Sequence, residues 1–575
     1  MAAIVSNNFR ALNAKGFIED VKSEQSNIYI GVGKSTAWQD SDPSLTDFTD
    51  SQAPLPVDTI DDVNEARANM VGLKLLQDGD VSHVVPRYDW TAGTVYQPWD
   101  SDDPNIYENS TNPFYVLTND FKVYKCIDRP SAVTQASDVP TKVQAAPFET
   151  ADGYKWKYMY TIIAADSEKF LTRSYMPVKT LTISTTSKSG VAATFSSGSA
   201  RTVEMATENP KITVGQKVSA ASLGSGTFAA TTTVTAVSGK FVTFSSNASD
   251  YTTTTNTVFT FGDFEDTNPL YDQQQAQKSS LALAGGIDRI EITNVGSGYT
   301  DALSAIHAKI HIVGDGANAT VAADADVTKT NNTVTRITPT AAGTGYSNAQ
   351  VIIDSSSLNG SNLAARAVIA PPSGHGVDPV AELGGFFIGL NTQISGVDDT
   401  DIANNQDFRQ ITILKNPTVS DAIETKADAA ARGSNRGTFR ATKFLSYNTS
   451  VNSVQTAVTT MSNLLANGND VLLKGSAAIN GIFPRAYVVN VDLTAGKIFY
   501  VQNSLTGFQA FNSTDNVTYS DSGAPTGAVS GITLTASNGT TDYDKGSGEI
   551  LFIENRDPIQ RSSTQIEDIK LILEF

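Results

Sequence analysis

The sequence is short of most residues that carry chemistry. It has one cysteine, Cys126, so no intrachain disulfide can form. A fold that needs no bridges suits a reducing compartment. Cys126 lies in Phe121-Lys-Val-Tyr-Lys-Cys-Ile, a strand-like run, and reads as a small buried hydrophobe rather than a nucleophile. Histidines number four: His83, His307, His311 and His375. No stretch approaches the ~18 uninterrupted apolar residues of a membrane span. The opening MAAIVSNNFRALNAKGF carries Arg10 and Lys15 but no apolar core, so no signal peptide is expected. Charged residues make up only 18%, against 40% hydrophobic, which argues against wholesale disorder. Basic residues are outnumbered, 41 to 60, giving a net charge of −19. Such a surface repels phosphate and disfavours nucleic acid as a partner.

What is present is β-forming. The length of 575 residues suggests three to five domains. Residues 1–178 are aromatic-rich and hold all four tryptophans, Trp38, Trp90, Trp99 and Trp156, which read as core anchors. Strands are expected at Asn27–Gly33, Phe114–Leu117, Phe121–Ile127 and Tyr154–Ile163. Asp58, Asp61 and Asp62 precede an apolar stripe, Val63, Ala66, Met70 and Leu73, at helical spacing. A helix of that span would pack within the subunit or form an interface, and those four residues are the candidate interface positions.

Residues 179–283 change to Thr, Ser, Val and Ala, with a hairpin expected about Ser238-Gly239. Tyr271-Asp-Gln-Gln-Gln-Ala-Gln-Lys reads as a polar connector. Residues 284–370 contain a repeat. Arg289-Ile-Glu-Ile-Thr-Asn-Val-Gly-Ser-Gly-Tyr-Thr recurs from Arg336 as Arg-Ile-Thr-Pro-Thr-Ala-Ala-Gly-Thr-Gly-Tyr-Ser. The glycines would permit a tight turn and the tyrosine would cover it. Residues 371–470 return to the first style, with Asn452 or Ser453 capping a helix that bears Val454, Val458, Met461 and Leu465 and closes at Gly468. Residues 471–540 read as another β-insert, and 541–575 as closing strands. A core interrupted by inserts is what insertion into surface loops leaves behind.

Catalytic and binding constellations are absent. Gly33-Lys34-Ser35-Thr36 imitates a phosphate loop, but the required upstream glycine is Ile28. His307 and His311 share a face of a β-like run without a third ligand. Asp398, Asp399 and Asp401 lack the glycine and glutamate of a calcium loop; they and Asp100, Asp102 and Asp103 read as solvated loops or caps. There is no Gly-x-Ser-x-Gly elbow, and no spacing singles out a carboxylate pair. No catalytic residue, cofactor site or metal site is assigned.

Several stretches resemble a known family. They are Asn27-Ile-Tyr-Ile-Gly-Val-Gly-Lys-Ser-Thr-Ala-Trp, Val84-Val-Pro-Arg-Tyr-Asp-Trp, Val123-Tyr-Lys-Cys-Ile-Asp and Asp152-Gly-Tyr-Lys-Trp-Lys-Tyr. Later come Phe408-Arg-Gln-Ile-Thr-Ile-Leu-Lys-Asn-Pro, the run Gly548-Glu-Ile-Leu-Phe-Ile-Glu-Asn-Arg-Asp-Pro-Ile and the closing Gln565-Ile-Glu-Asp-Ile-Lys-Leu-Ile-Leu-Glu-Phe. In order and spread the chain resembles the baseplate wedge subunit of T-even-type contractile-tailed phages, the product of gene eight. Its inserts look like those of the longer versions in phages of marine cyanobacteria. The resemblance implies a mainly β fold, a layered β-sandwich core with a few helices in long loops plus inserted small β-domains. It implies a homodimer in the virion tail baseplate, made and assembled in the host cytoplasm. Its partners would be other wedge proteins and the bases of fibres or spikes, with neither nucleic acid nor membrane insertion. It carries no catalytic residues. Two other readings compete: a receptor- or glycan-binding tail protein, which predicts a glycan surface on an insert, and a tail-associated glycan hydrolase, which predicts two close carboxylates in a cleft.

Overall fold

The computed structural model describes the chain apart from residues 1–3, 24–25, 39–52, 131–133, 182–183, 189–193, 196–200, 208, 210–211, 221–227, 246–249, 255, 279–283, 396–401, 405, 420–436, 513–514, 522–523 and 563. The fold is mainly β. The chain divides into two compact units: Met1–Ile18 with Ser82–Leu390 and Leu571–Phe575, and Glu19–Val81 with Asn391–Lys570.

In the second unit a five-stranded antiparallel sheet runs in the order Thr438–Arg440, Met70–Leu75, Ile28–Gly33, Asp407–Lys415, Glu549–Gln560. Every residue of Ile28–Gly33 and Met70–Leu75 is buried, so these strands are covered on both faces. Gly33 is required there, because a Cβ would meet the Asn69 carbonyl at 2.7 Å. The apolar stripe expected as one helix is split. The helix is Ile60–Asn69, capped by Thr59, whose hydroxyl accepts from the Asp62 amide, with Asp61 and Asp62 in its first turn. From Met70 the chain is strand, registered Leu73 to Gly31 and Leu75 to Tyr29. Val71, Leu73 and Leu75 fit a strand period as well as Met70 and Leu73 fit a helical one, and sheet pairing decides between them.

The same unit contains a closed barrel of Lys443–Tyr447, Lys497–Val501, Arg485–Asp492, Val471–Gly475, Asn516–Asp521 and Ala524–Gly539. Its core takes the apolar face of the helix Asn452–Ala466: Val454, Ala457, Val458, Met461 and Leu465 pack with Leu473, Val488, Ile498 and Ile532. Gly468 follows the helix at φ +78°, as a C-terminal glycine does. The cap residue is Val451, not Asn452 or Ser453. The barrel begins before the expected 471 boundary, because Lys443–Tyr447 pairs with Lys497–Val501 to close it. A composition shift does not register a strand that arrives from the preceding style of sequence.

Two further sheets share a core within the first unit, although strands of the second sheet run past that unit's limits in the chain. One runs Tyr115–Leu117, Lys122–Asp128, Lys155–Thr161, Phe148–Glu149; the other runs Ile566–Glu574, Phe387–Ser395, Val81–Pro86, Tyr175–Pro177. Leu117, Val123 and Met159 of the first meet Val85 and Met176 of the second in a common core. On the other face of the first sheet Tyr96, Tyr154 and Trp156 pack together, with Tyr154 and Trp156 stacked at 5.7 Å. Cys126 is buried there, and burial pushes its thiol up, which suits the inert small-hydrophobe reading.

The insert after residue 179 is a small β-body with a core of Val203, Val242, Phe244, Phe259 and Phe261. Val234–Ser238 and Phe241–Phe244 pair as the expected hairpin, with Gly239 at φ +53°. The supposed polar connector is the helix Tyr271–Gln277, and three of its glutamines, Gln273, Gln274 and Gln277, are buried. They serve backbone groups: the Gln273 amide donates to the Lys179 carbonyl, Gln277 donates to the Val377 carbonyl, and Gln274 Oε1 accepts from the Phe264 amide. A polar sequence is buried here because each of these amides gains at least one backbone partner in place of water.

In the repeat module, Ile287–Ser297 lies between Thr333–Ile337 and Ser361–Ile369. Tyr299 and Tyr346 are both buried. Each ring lies over a glycine of a distant segment, Gly360 and Gly316, where a Cβ would meet the ring at 2.4 Å. Each hydroxyl accepts from the backbone amide three residues beyond that glycine, Leu363 for Tyr299 and Ala319 for Tyr346. Gly296, Gly298, Gly343 and Gly345 all have positive φ, as the repeat's turn requires. The repeat is therefore a pair of equivalent tyrosine-locked turns.

Candidate functional site

A dense polar arrangement in the first unit lies where the repeat module meets the aromatic sheet. Its cause is local. A strand directs alternate side chains to one face, and Ile287–Ser297 carries Arg289 while its antiparallel partner Ser361–Ile369 carries Arg366, registered against Glu291. Both guanidiniums converge on Asp100 of the aromatic region. Arg289 Nη2 lies 3.2 Å from Asp100 Oδ2, and Arg366 Nη1 donates to Asp100 Oδ1 at 2.9 Å, with Arg366 Nη2 on the other oxygen. Arg289 Nη1 also donates to the Trp99 carbonyl. Burial acts to raise Asp100, but the hydrogen bond from Arg366, the Asp102 amide and the two guanidinium charges outweigh it and hold the carboxyl below its ordinary value.

Arg336 occupies in the second repeat the position that Arg289 occupies in the first. It too grips the core, donating to Asp128 Oδ2 at 2.6 Å. Ile290 and Ile337, the next residues of each repeat, are registered side by side. The internal repeat thus presents two equivalent arginines to two acids of the aromatic sheet region. Asp128 has the opposite shift from Asp100. Burial raises it, and Arg336 only partly offsets this.

Behind these pairs is a buried cluster. Lys125 Nζ lies 2.7 Å from Glu382 Oε2, with both side chains almost wholly enclosed, and 4.5 Å from the centre of the Trp99 ring. His375 stands edge-on to the same ring at 5.4 Å, its Nε2 3.2 Å from Asp288 Oδ2 without the alignment of a hydrogen bond. Burial and the neighbouring Lys125 lower the His375 pKa, and the Asp288 carboxylate acts the other way. Lys157 passes over Gly376, where a Cβ would strike its Cε, and donates to the Ala145 and Ala276 carbonyls. Burial brings its pKa down to about 8. A cleft of about 360 Å³ opens beside the cluster, lined by Asp128, Arg129, Lys155, Asp288, Arg289 and Arg336 among others. Two of its acids, Asp128 and Glu291, are already opposed by Arg336 and Arg289, so this side of the cleft is suited to holding the module to the sheet.

The residues singled out from sequence lie elsewhere. Ala66, Met70 and Leu73 are buried in the second unit's own core, Met70 and Leu73 in one cluster with Tyr29 and Leu414, while Val63 is half-buried. His307 ends the helix Leu303–His307 and His311 lies in the strand Ile310–Gly314, so the two do not share one strand face; His307 Nε2 meets Asp324 at 3.0 Å. Lys34 Nζ donates to its neighbour Thr36. Asp398, Asp399 and Asp401 lie outside the described residues. Asp100 and Asp102, read as a solvated loop, are instead ion-paired with the repeat module. The arginine at the head of each repeat was the available signal. Among the described residues no group of three or more His, Cys, Asp or Glu is arranged to hold a metal, and no helix is long and apolar enough to cross a membrane.

Residues 3–144 match the family model Phage-Gp8, described as bacteriophage T4 Gp8. The Gp8-like segment includes Asp100, Lys125 and Asp128, the core side of the seam. The repeat-module side, from Asp288 onward, lies outside it. No curated protein gives a significant match to the chain. The family match supports a structural role in a phage tail baseplate, in association with other baseplate proteins.

Proposed function

We propose that this chain is a structural subunit of a phage baseplate wedge, acting by its interfaces and not as an enzyme. The observation that carries the reading is the Gp8 match over residues 3–144. The ordered stretches from Asn27 to Phe575 that resemble the same family extend it along the chain. In this reading the subunit is a homodimer, assembled in the host cytoplasm in the longer form resembling that of cyanobacterial phages. It links neighbouring wedge proteins to fibre or spike bases and passes on the rearrangement that triggers sheath contraction. Repacking of rigid parts is the physical means, since packed interfaces switch between discrete arrangements. The ion-paired seam supports the reading because it ties an added module to the Gp8-like segment instead of leaving it on a free tether. Val63 remains a proposed interface position; Ala66, Met70 and Leu73 could contribute only through the fold that they stabilise. The test is light scattering on the purified chain, alone and mixed with the phage's other wedge proteins. A dimer that enters a larger defined complex is expected. A monomer or trimer that ignores those partners would sink the proposal.

A further inference from the structure

We propose that Lys125 and Glu382 condense to an intramolecular amide, a covalent cross-link from the strand Lys122–Asp128 to the helix Pro379–Glu382 that follows the repeat module. The inference goes beyond the baseplate reading and does not depend on it.

The geometry is that of a reaction complex. Lys125 Nζ donates to Glu382 Oε2 at 2.7 Å, so the amine is held one hydrogen bond away from the carboxyl group it would attack. The other oxygen, Oε1, accepts from the Gly376 amide at 2.7 Å and the Asp378 amide at 3.3 Å, and the Gly376 amide also lies 3.0 Å from Oε2. Two backbone donors aimed at Oε1 form the arrangement that stabilises an oxyanion when a nucleophile adds to the carbon. The Lys125 side chain is fully enclosed and that of Glu382 nearly so, and the Trp99 ring closes over the amine. Three bases, Lys125, Lys157 and His375, crowd around Glu382 and Asp288, and burial pushes the Lys125 ammonium below its ordinary value. Lys157 is not the nucleophile, because its Nζ is turned to the Ala145 and Ala276 carbonyls.

The step balances without a co-reactant. One proton passes from Nζ to Oε2 along their hydrogen bond, giving a neutral amine and a carboxylic acid. Nζ then adds to the carboxyl carbon, and negative charge develops on Oε1 under the Gly376 and Asp378 amides. The carbon–Oε2 bond breaks, Oε2 takes a second proton from Nζ, and water leaves. Holding the partners in contact replaces a bimolecular step by one with an effective molarity on the order of 10⁵ M or more. The product also replaces two buried charges by a neutral amide, which removes their desolvation penalty.

The experiment is mass spectrometry of the full-length folded chain after denaturation, followed by tryptic mapping. The expected result is a mass lower than that of the sequence by one water, and a branched peptide joining the segments that carry Lys125 and Glu382. Lys125→Arg should restore the full mass and abolish the branched peptide. An unmodified Lys125 peptide from folded wild-type protein at the full mass would overturn the proposal. So would a water loss that persists in Lys125→Arg without a branch, since that loss would arise elsewhere.

Discussion

Removing Asp100 should loosen the repeat module from the aromatic sheet. In Asp100→Ala, the Arg289 guanidinium, whose side chain is 9% exposed, loses its buried counter-charge, and Arg366, one-third exposed, loses a bidentate one. Breaking one side of a buried pair costs about 3–5 kcal/mol, because the remaining charge stays desolvated. Arg366 can turn toward water, so the expected cost is near the lower end, about 3 kcal/mol. At about 1.4 kcal/mol per tenfold, this corresponds to roughly hundredfold faster opening of the seam. Hydrogen exchange measured by peptide should show it in Ile287–Ser297 and Ser361–Ile369, with the barrel strands unchanged as an internal control. Arg87→Ala, which removes an exposed pair with Asp89, should change exchange locally by less than about 1 kcal/mol. The pH dependence has a definite sign. Asp100 is lowered in the folded state, so its contribution is present above its unfolded pKa and is lost as pH falls through the folded one. Acidification should therefore erase the difference between wild type and Asp100→Ala. Equal exchange in the two proteins at neutral pH would refute the view that these pairs hold the module.

Tyr299→Phe removes a buried hydroxyl from the Leu363 amide and should cost about 1 kcal/mol, whereas Gly296→Ala, at φ +63° with the Ser361 carbonyl 2.6 Å from the new Cβ, should cost more; denaturant melts of the two would rank them. Met461→Ala should destabilise the barrel by about 2–5 kcal/mol, since Met461 is fully buried among its strands, and hydrogen exchange in Val471–Gly475 would report it. Lys157 is depressed to about 8 from 10.5, so the unfolded chain binds more protons between those values. Stability should rise with pH across that window and should flatten in Lys157→Met, which thermal melts at several pH values would test.

Much of the architecture was legible locally. An alternating run marked Asn27–Gly33, and helical spacing with a closing glycine marked the helix Asn452–Ala466. The repeat foretold two equivalent turns, because positive φ is cheap only for glycine and a tyrosine placed after it can fold back over the chain. These features depend on neighbours a few residues apart.

Where the sequence misled, the deciding contacts were distant. Met70 and Leu73 satisfy both a helix and a strand, and pairing with Ile28–Gly33 chose the strand. Gln273 and Gln277 of the polar run are buried because backbone carbonyls about a hundred residues away receive their amides. Asp100 and Arg366 are 266 residues apart, beyond the span of any local motif. By itself the sequence determined a β-rich, acidic chain with a glycine–tyrosine repeat and a resemblance to baseplate wedge subunits. Only the tertiary structure decided that the repeat's arginines, Arg289 and Arg336, face acids of the aromatic region, because long-range pairing of charges depends on the folded path and leaves no periodic trace in the chain.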